Sequence, residues 1–69
     1  MNAIEVDAIV RDVIVHLGLP FTVVSVMESP AGWNIVVRAG TGGLVRFAVP
    51  GSRPLATRVA VQEQLEAES

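Results

Sequence analysis

Cysteine is missing from these 69 residues, as are lysine and tyrosine, while histidine and tryptophan occur once each. Each gap closes off a chemistry. Without cysteine there is no disulfide, no thiolate metal site and no thiol nucleophile. A single histidine, His16, cannot build a multi-histidine centre. Charge is scarce as well: 17% of the residues are charged, where ordinary domains carry about 25%. The formal net charge is −2 and the sequence pI is about 5.1. Surfaces that track phosphates usually belong to domains with a pI above about 9, so this balance runs against one. No apolar run approaches the ~20 residues that span a bilayer. The opening Met1-Asn2-Ala3-Ile4-Glu5 has an acid and no basic n-region. The expectation is therefore a cytoplasmic protein with no signal peptide and no membrane contact.

What is abundant is apolar: 51% of the residues are hydrophobic. A chain this short makes one domain, residues 1–69, and buries only about 60% of the surface its unfolded form exposes. With disulfides excluded, its stability has to come from a good core or from oligomerisation. A surplus of apolar residues with little charge to cover it predicts self-association.

Turn residues fall at Gly18/Pro20, Ser29-Pro30-Ala31-Gly32, Gly40-Thr41-Gly42-Gly43 and Pro50-Gly51-Ser52, cutting the chain into five segments. The first, Ala3 to Leu17, reads as a helix. Asn2 and Glu5 have capping-box spacing, and Gly18 and Pro20 supply the stop. At 100° per residue, Ala3, Val6, Ile9, Val10, Val13, Ile14 and Leu17 share one broad face, while Ile4, Ala8 and Val15 form a smaller apolar patch elsewhere. The next three segments read as strands: Phe21 to Glu28, Trp33 to Ala39 and Leu44 to Val49. The last two alternate, with Trp33, Ile35, Val37 and Ala39 on one face and Asn34, Val36 and Arg38 on the other. In the third strand, Val45, Phe47 and Val49 oppose Leu44, Arg46 and Ala48. Pairing Val37 with Val45 leaves the loop Gly40-Thr41-Gly42 and sets Arg38 opposite Leu44. Pairing Val37 with Phe47 would set Arg38 against Arg46, which is unfavourable. The first register is expected.

The last segment, Arg53 to about Glu68, reads as a helix capped by Ser52, with Pro54 in its first turn. Its buried face is open. Leu55, Ala56, Val59 and Ala60 span one arc, Val61 and Leu65 point elsewhere, and both sets cannot lie flat on one sheet. The fold class that follows is α+β in the order α-β-β-β-α: a three-stranded antiparallel meander with both helices packed on one face.

This order and length resemble the double-stranded RNA-binding domain. That family opens its second helix on a Ser-Lys-Lys-x-Ala-Lys-x-x-Ala-Ala-x-x-x-Leu pattern, and Ser52, Ala56, Ala60 and Leu65 match it without a gap. Ser29-Pro30-Ala31 falls near the family's Gly-Pro-Ala, with Gly32-Trp33 where its histidine is expected. Of the three basic positions that meet phosphates in the family, Arg53 is basic and the other two are Pro54 and Thr57. The matching residues are mostly the small, packing ones, so the resemblance implies the fold before the function. The same order also resembles small ribonuclease toxins of bacterial toxin–antitoxin pairs, whose activity depends on a histidine in the sheet. Here the expected sheet has none.

Other candidate chemistry is thin. His16 follows Asp12 by four residues on one helical face, the spacing of a base beside an acid. Nothing nearby completes a site, and a solvated histidine near a helix C-terminus explains it as well. Gly40-Thr41-Gly42-Gly43 lacks the lysine and following helix of a phosphate loop and reads as a hairpin turn. Trp33 could stack on a base, but its strand face is the core face. No cofactor or metal is implied, and no catalytic residue is assigned. The expectation is a non-catalytic protein-interaction module, a homodimer or partner of another protein, with Ile4, Ala8, Val15, Val36 and Leu44 as candidate interface residues. The alternative is RNA binding through Arg38, Arg46, Arg53 and Arg58.

Overall fold

The computed structural model describes residues 1–51 and 53–68, so the expected cap Ser52 lies outside the described residues. Helix α1 runs Ala3–Leu17, strands β1, β2 and β3 run Phe21–Ser29, Gly32–Ala39 and Leu44–Pro50, and helix α2 runs Pro54–Glu68. The three antiparallel strands lie in the order β1-β2-β3. Helix α1 packs against β1, α2 against β3, and the helices against each other.

Local sequence sets the ends of α1. The Asn2 side chain accepts the Glu5 backbone N–H at 2.9 Å, and the Asn2 N–H reaches back to the Glu5 carboxylate at 3.3 Å. This is the capping box expected from the spacing. At the other end Gly18 is left-handed, with φ 66°. Its N–H donates to the Val15 carbonyl and that of Leu19 to the Ile14 carbonyl, both at 3.1 Å. These two bonds make a Schellman closure.

The β2–β3 hairpin has the expected register. Val37 pairs with Val45 and Arg38 with Leu44. The Ala39 N–H donates to the Gly43 carbonyl at 2.8 Å, closing a loop of Gly40, Thr41 and Gly42. Gly42 takes a positive φ of 95° there, as a three-residue hairpin loop requires. Between β1 and β2 the register slips at Val24, which makes a bulge. The Pro30-Ala31 turn joins the Ser29–Gly32 pair. At Gly32, φ is 151° and an added Cβ would lie 2.1 Å from the Val49 carbonyl oxygen.

The core lies between the sheet and the helices. Trp33, Ile35 and Val37 bury the inner face of β2, as their alternation predicts, and meet Val6, Val10, Val13 and Ile14 from α1, Val49 from β3 and Val61 and Leu65 from α2. Burying each such side chain is worth about 1.5–3 kcal/mol. Ala3, expected on the same face, is exposed in the helix's first turn.

The roll of α2, open from sequence, is settled here. Thr57, Val61 and Leu65 are inward and fully buried, while Leu55 and Val59 are 74% and 50% exposed. The reason is what each arc continues into. Rolling Leu55 and Val59 inward would drive Gln62 and Glu63 toward the core, where an unpaired charge is costly. The chosen arc buries one polar side chain among the described residues, Thr57, and that hydroxyl donates to the Pro50 carbonyl at 3.0 Å.

Gly32→Ala is expected to destabilise the fold by at least about 3 kcal/mol, since backbone strain and a backbone clash combine. Gly42→Ala, at a positive φ with open space around it, should cost only about 1–2 kcal/mol. Urea midpoints of the two variants check this order.

Candidate functional site

The nominated residues fall into two separate places. Ile4, Ala8 and Val15 come together on α1, all exposed, with Ile4 at 80% and Val15 at 78%. At 100° per residue they share an arc with Asp7 and Arg11, whose side chains pair at 2.9 Å. This stripe flanks β1, an outer strand of the sheet. One groove of about 310 Å³ holds Ile4, Asp7 and Arg11 against Val24. A second, of about 390 Å³, holds Arg11, Ile14 and Val15 against Phe21 and Val23. Arg11 lines both, so the two grooves run on into each other along the α1–β1 seam.

Val36 and Leu44 are elsewhere. Both lie on the sheet's outer face, away from the helices. Val36 is half-buried, paired across the strands with Ser25 and Arg46, and Leu44 is 50% exposed on the opposite outer strand from β1. The structure therefore does not unite the five into one patch. The sequence reading missed Val24, 49% exposed beside Ile4. Its place depends on the bulge, for which the run Val23-Val24-Ser25 gives no local signal.

The four candidate nucleic-acid arginines do not converge. Arg38 and Arg46 lie on the outer sheet face, and Arg53 is exposed at the entry to α2. Arg58, half-buried on α2, forms an ion pair with Asp12 of α1. That pair also takes the carboxylate expected beside His16, so Asp12 joins the two helices. His16 itself is exposed. Thr57, which stands at a basic position of the resembled pattern, is 0% exposed and holds the Pro50 carbonyl, so it meets no phosphate.

Trp33 is a core residue, 4% exposed, as its strand face predicts. It lies under Gly51, where an added Cβ would come within 2.5 Å of the indole nitrogen. The glycine-rich loop is the β2–β3 turn. Among the described residues no group of three or more His, Asp or Glu side chains is placed to hold a metal ion, and no helix is long and apolar enough to cross a membrane. Compared with models of known families, with curated proteins and with solved structures, the chain matches none.

Thr57→Val keeps the shape and removes the hydroxyl, leaving the Pro50 carbonyl without its donor. The expected cost is about 1–2 kcal/mol. Denaturant unfolding should show a lower midpoint at unchanged slope.

Proposed function

We propose that this chain is a non-catalytic protein-interaction module that self-associates. The observation behind this reading is the α1 stripe: two large aliphatic side chains on one arc, each more than three-quarters exposed, beside an apolar seam. Isolated exposed aliphatics are ordinary, but a set gathered on one helical arc against a sheet edge has the character of an interaction surface. Leu55 and Val59 on α2 add to the apolar surface. So little of the chain is charged that much of its exterior must be apolar.

A second reading rests on the α-β-β-β-α order, which is that of double-stranded RNA-binding domains, and on exposed Arg53 at the start of α2. In that reading the chain is a duplex-RNA binder. The burial of Thr57 and the engagement of Arg58 by Asp12 leave it with few cationic contacts, and it takes second place.

Sedimentation equilibrium over a range of protein concentrations, with and without a short RNA duplex, separates the two. The expected result is reversible dimerisation that RNA does not change. A monomer that gains mass with RNA, and loses it steeply as salt rises, would establish the second reading instead. A monomer at all concentrations with and without RNA would overturn both.

A further inference from the structure

The stripe on α1 has an internal symmetry. Ile4 and Val15 stand at its ends, about 16 Å apart along the helix, and their midpoint falls between residues 9 and 10. The oppositely charged pair, Asp7 and Arg11, has its midpoint at residue 9. Ala8, small and exposed, sits near the centre, where two helices would approach closest. The centres of the apolar ends and the charged middle therefore lie within about 1 Å of each other along the helix. A two-fold axis there would turn the stripe onto itself.

Resting on the self-association reading, we propose that the partner is a second copy of this chain and that the two α1 helices pack antiparallel across a two-fold axis near residues 9 and 10. Ile4 then meets the partner's Val15, and Val15 meets the partner's Ile4. Asp7 lies level with the partner's Arg11, and Arg11 with the partner's Asp7. The existing ion pairs join into one alternating set of four charges at the centre of the contact. An isologous contact must be self-complementary in this way. Parallel packing would set Asp7 beside its own copy and Arg11 beside its own, so the sign pattern selects the antiparallel arrangement. Val24, beside Ile4 in the seam, widens the apolar ends. A pair of three-turn helix faces lies at the small end of interface sizes, below about 1,200 Å² in total, so the dimer is weak and concentration-dependent.

The test uses the full chain, and the absence of cysteine makes it clean. Ile4→Cys and Val15→Cys are prepared separately, mixed in equal amounts and equilibrated in a glutathione redox buffer. Both positions are exposed and neither belongs to the core. The expected product is almost exclusively the mixed disulfide between the two variants, well beyond the twofold excess over each homodimer that random pairing of equal amounts gives, because like positions stand too far apart to bridge. In parallel, Asp7→Arg and Arg11→Asp should each weaken the dimer by at least about tenfold, with helix content by circular dichroism unchanged. The D7R/R11D double variant should restore it. Wild-type dimers accompanied by like-with-like disulfides, or by charge variants that associate as tightly as wild type, would overturn this geometry and leave self-association standing on another face. A monomeric wild type would overturn both.

Discussion

Everything in this fold is assembled on the inner face of β2. Trp33, Ile35 and Val37 occupy three successive inward positions of the central strand and are almost wholly buried. They are the floor on which residues from both helices converge. In a chain this small there is one buried layer and no second core to compensate for a misplaced strand. A slip of one residue would turn these three outward and bring Asn34, Val36 and Arg38 under the helices. The glycine-rich loop and the pairing of Arg38 with Leu44 hold the strand against that slip on one side. On the other side Gly32 lets β2 begin hard against the Val49 carbonyl, and Gly51 leaves room for the indole of Trp33. Small residues at this end of the sheet are thus as much part of the core's construction as the large ones inside it.

The helices are attached to this floor in different ways. Helix α1 presents a broad apolar face and is closed at both ends by its own backbone and caps. Helix α2 presents a single narrow row, one residue per turn, and its first buried residue is a threonine. The hydroxyl of Thr57 ties the helix to the last residue of β3, and Arg58 ties it to Asp12 of α1. The second of these bonds is exposed and contributes little to stability. Its clearer effect is on chemistry, because it occupies one carboxylate and one guanidinium that could otherwise serve a site.

Features set by nearest neighbours along the chain were legible in the sequence. The capping box, the left-handed stop at Gly18, the hairpin register and the second apolar patch on α1 all follow from spacing alone. What was not legible depended on contacts between distant segments. The roll of α2 was open because the arc of Val61 and Leu65 begins at Thr57, and the Pro50 carbonyl that satisfies its buried hydroxyl lies on another element, although the cost of turning Gln62 and Glu63 inward was already written in the periodicity. The pairing of Asp12 with Arg58 rather than with His16 is likewise a tertiary choice. Of the candidate interface residues, periodicity gathered Ile4, Ala8 and Val15 correctly. Strand alternation put Val36 and Leu44 on the outer face, away from those three, but nothing in the sequence showed that a bulge would place Val24 beside Ile4.

That bulge has a consequence for what the chain can do in company. β1 is an outer strand of nine residues, rich in valine, with one flank unpaired by the sheet. A straight edge of that length and composition is the kind that recruits further strands and grows into fibrils. The irregularity at Val24 divides it into Phe21–Val23 and Ser25–Ser29. Neither piece offers the six or seven residues in register that a steric zipper needs. One extra residue in β1 thus cuts each straight stretch of its open edge below the length that such stacking needs.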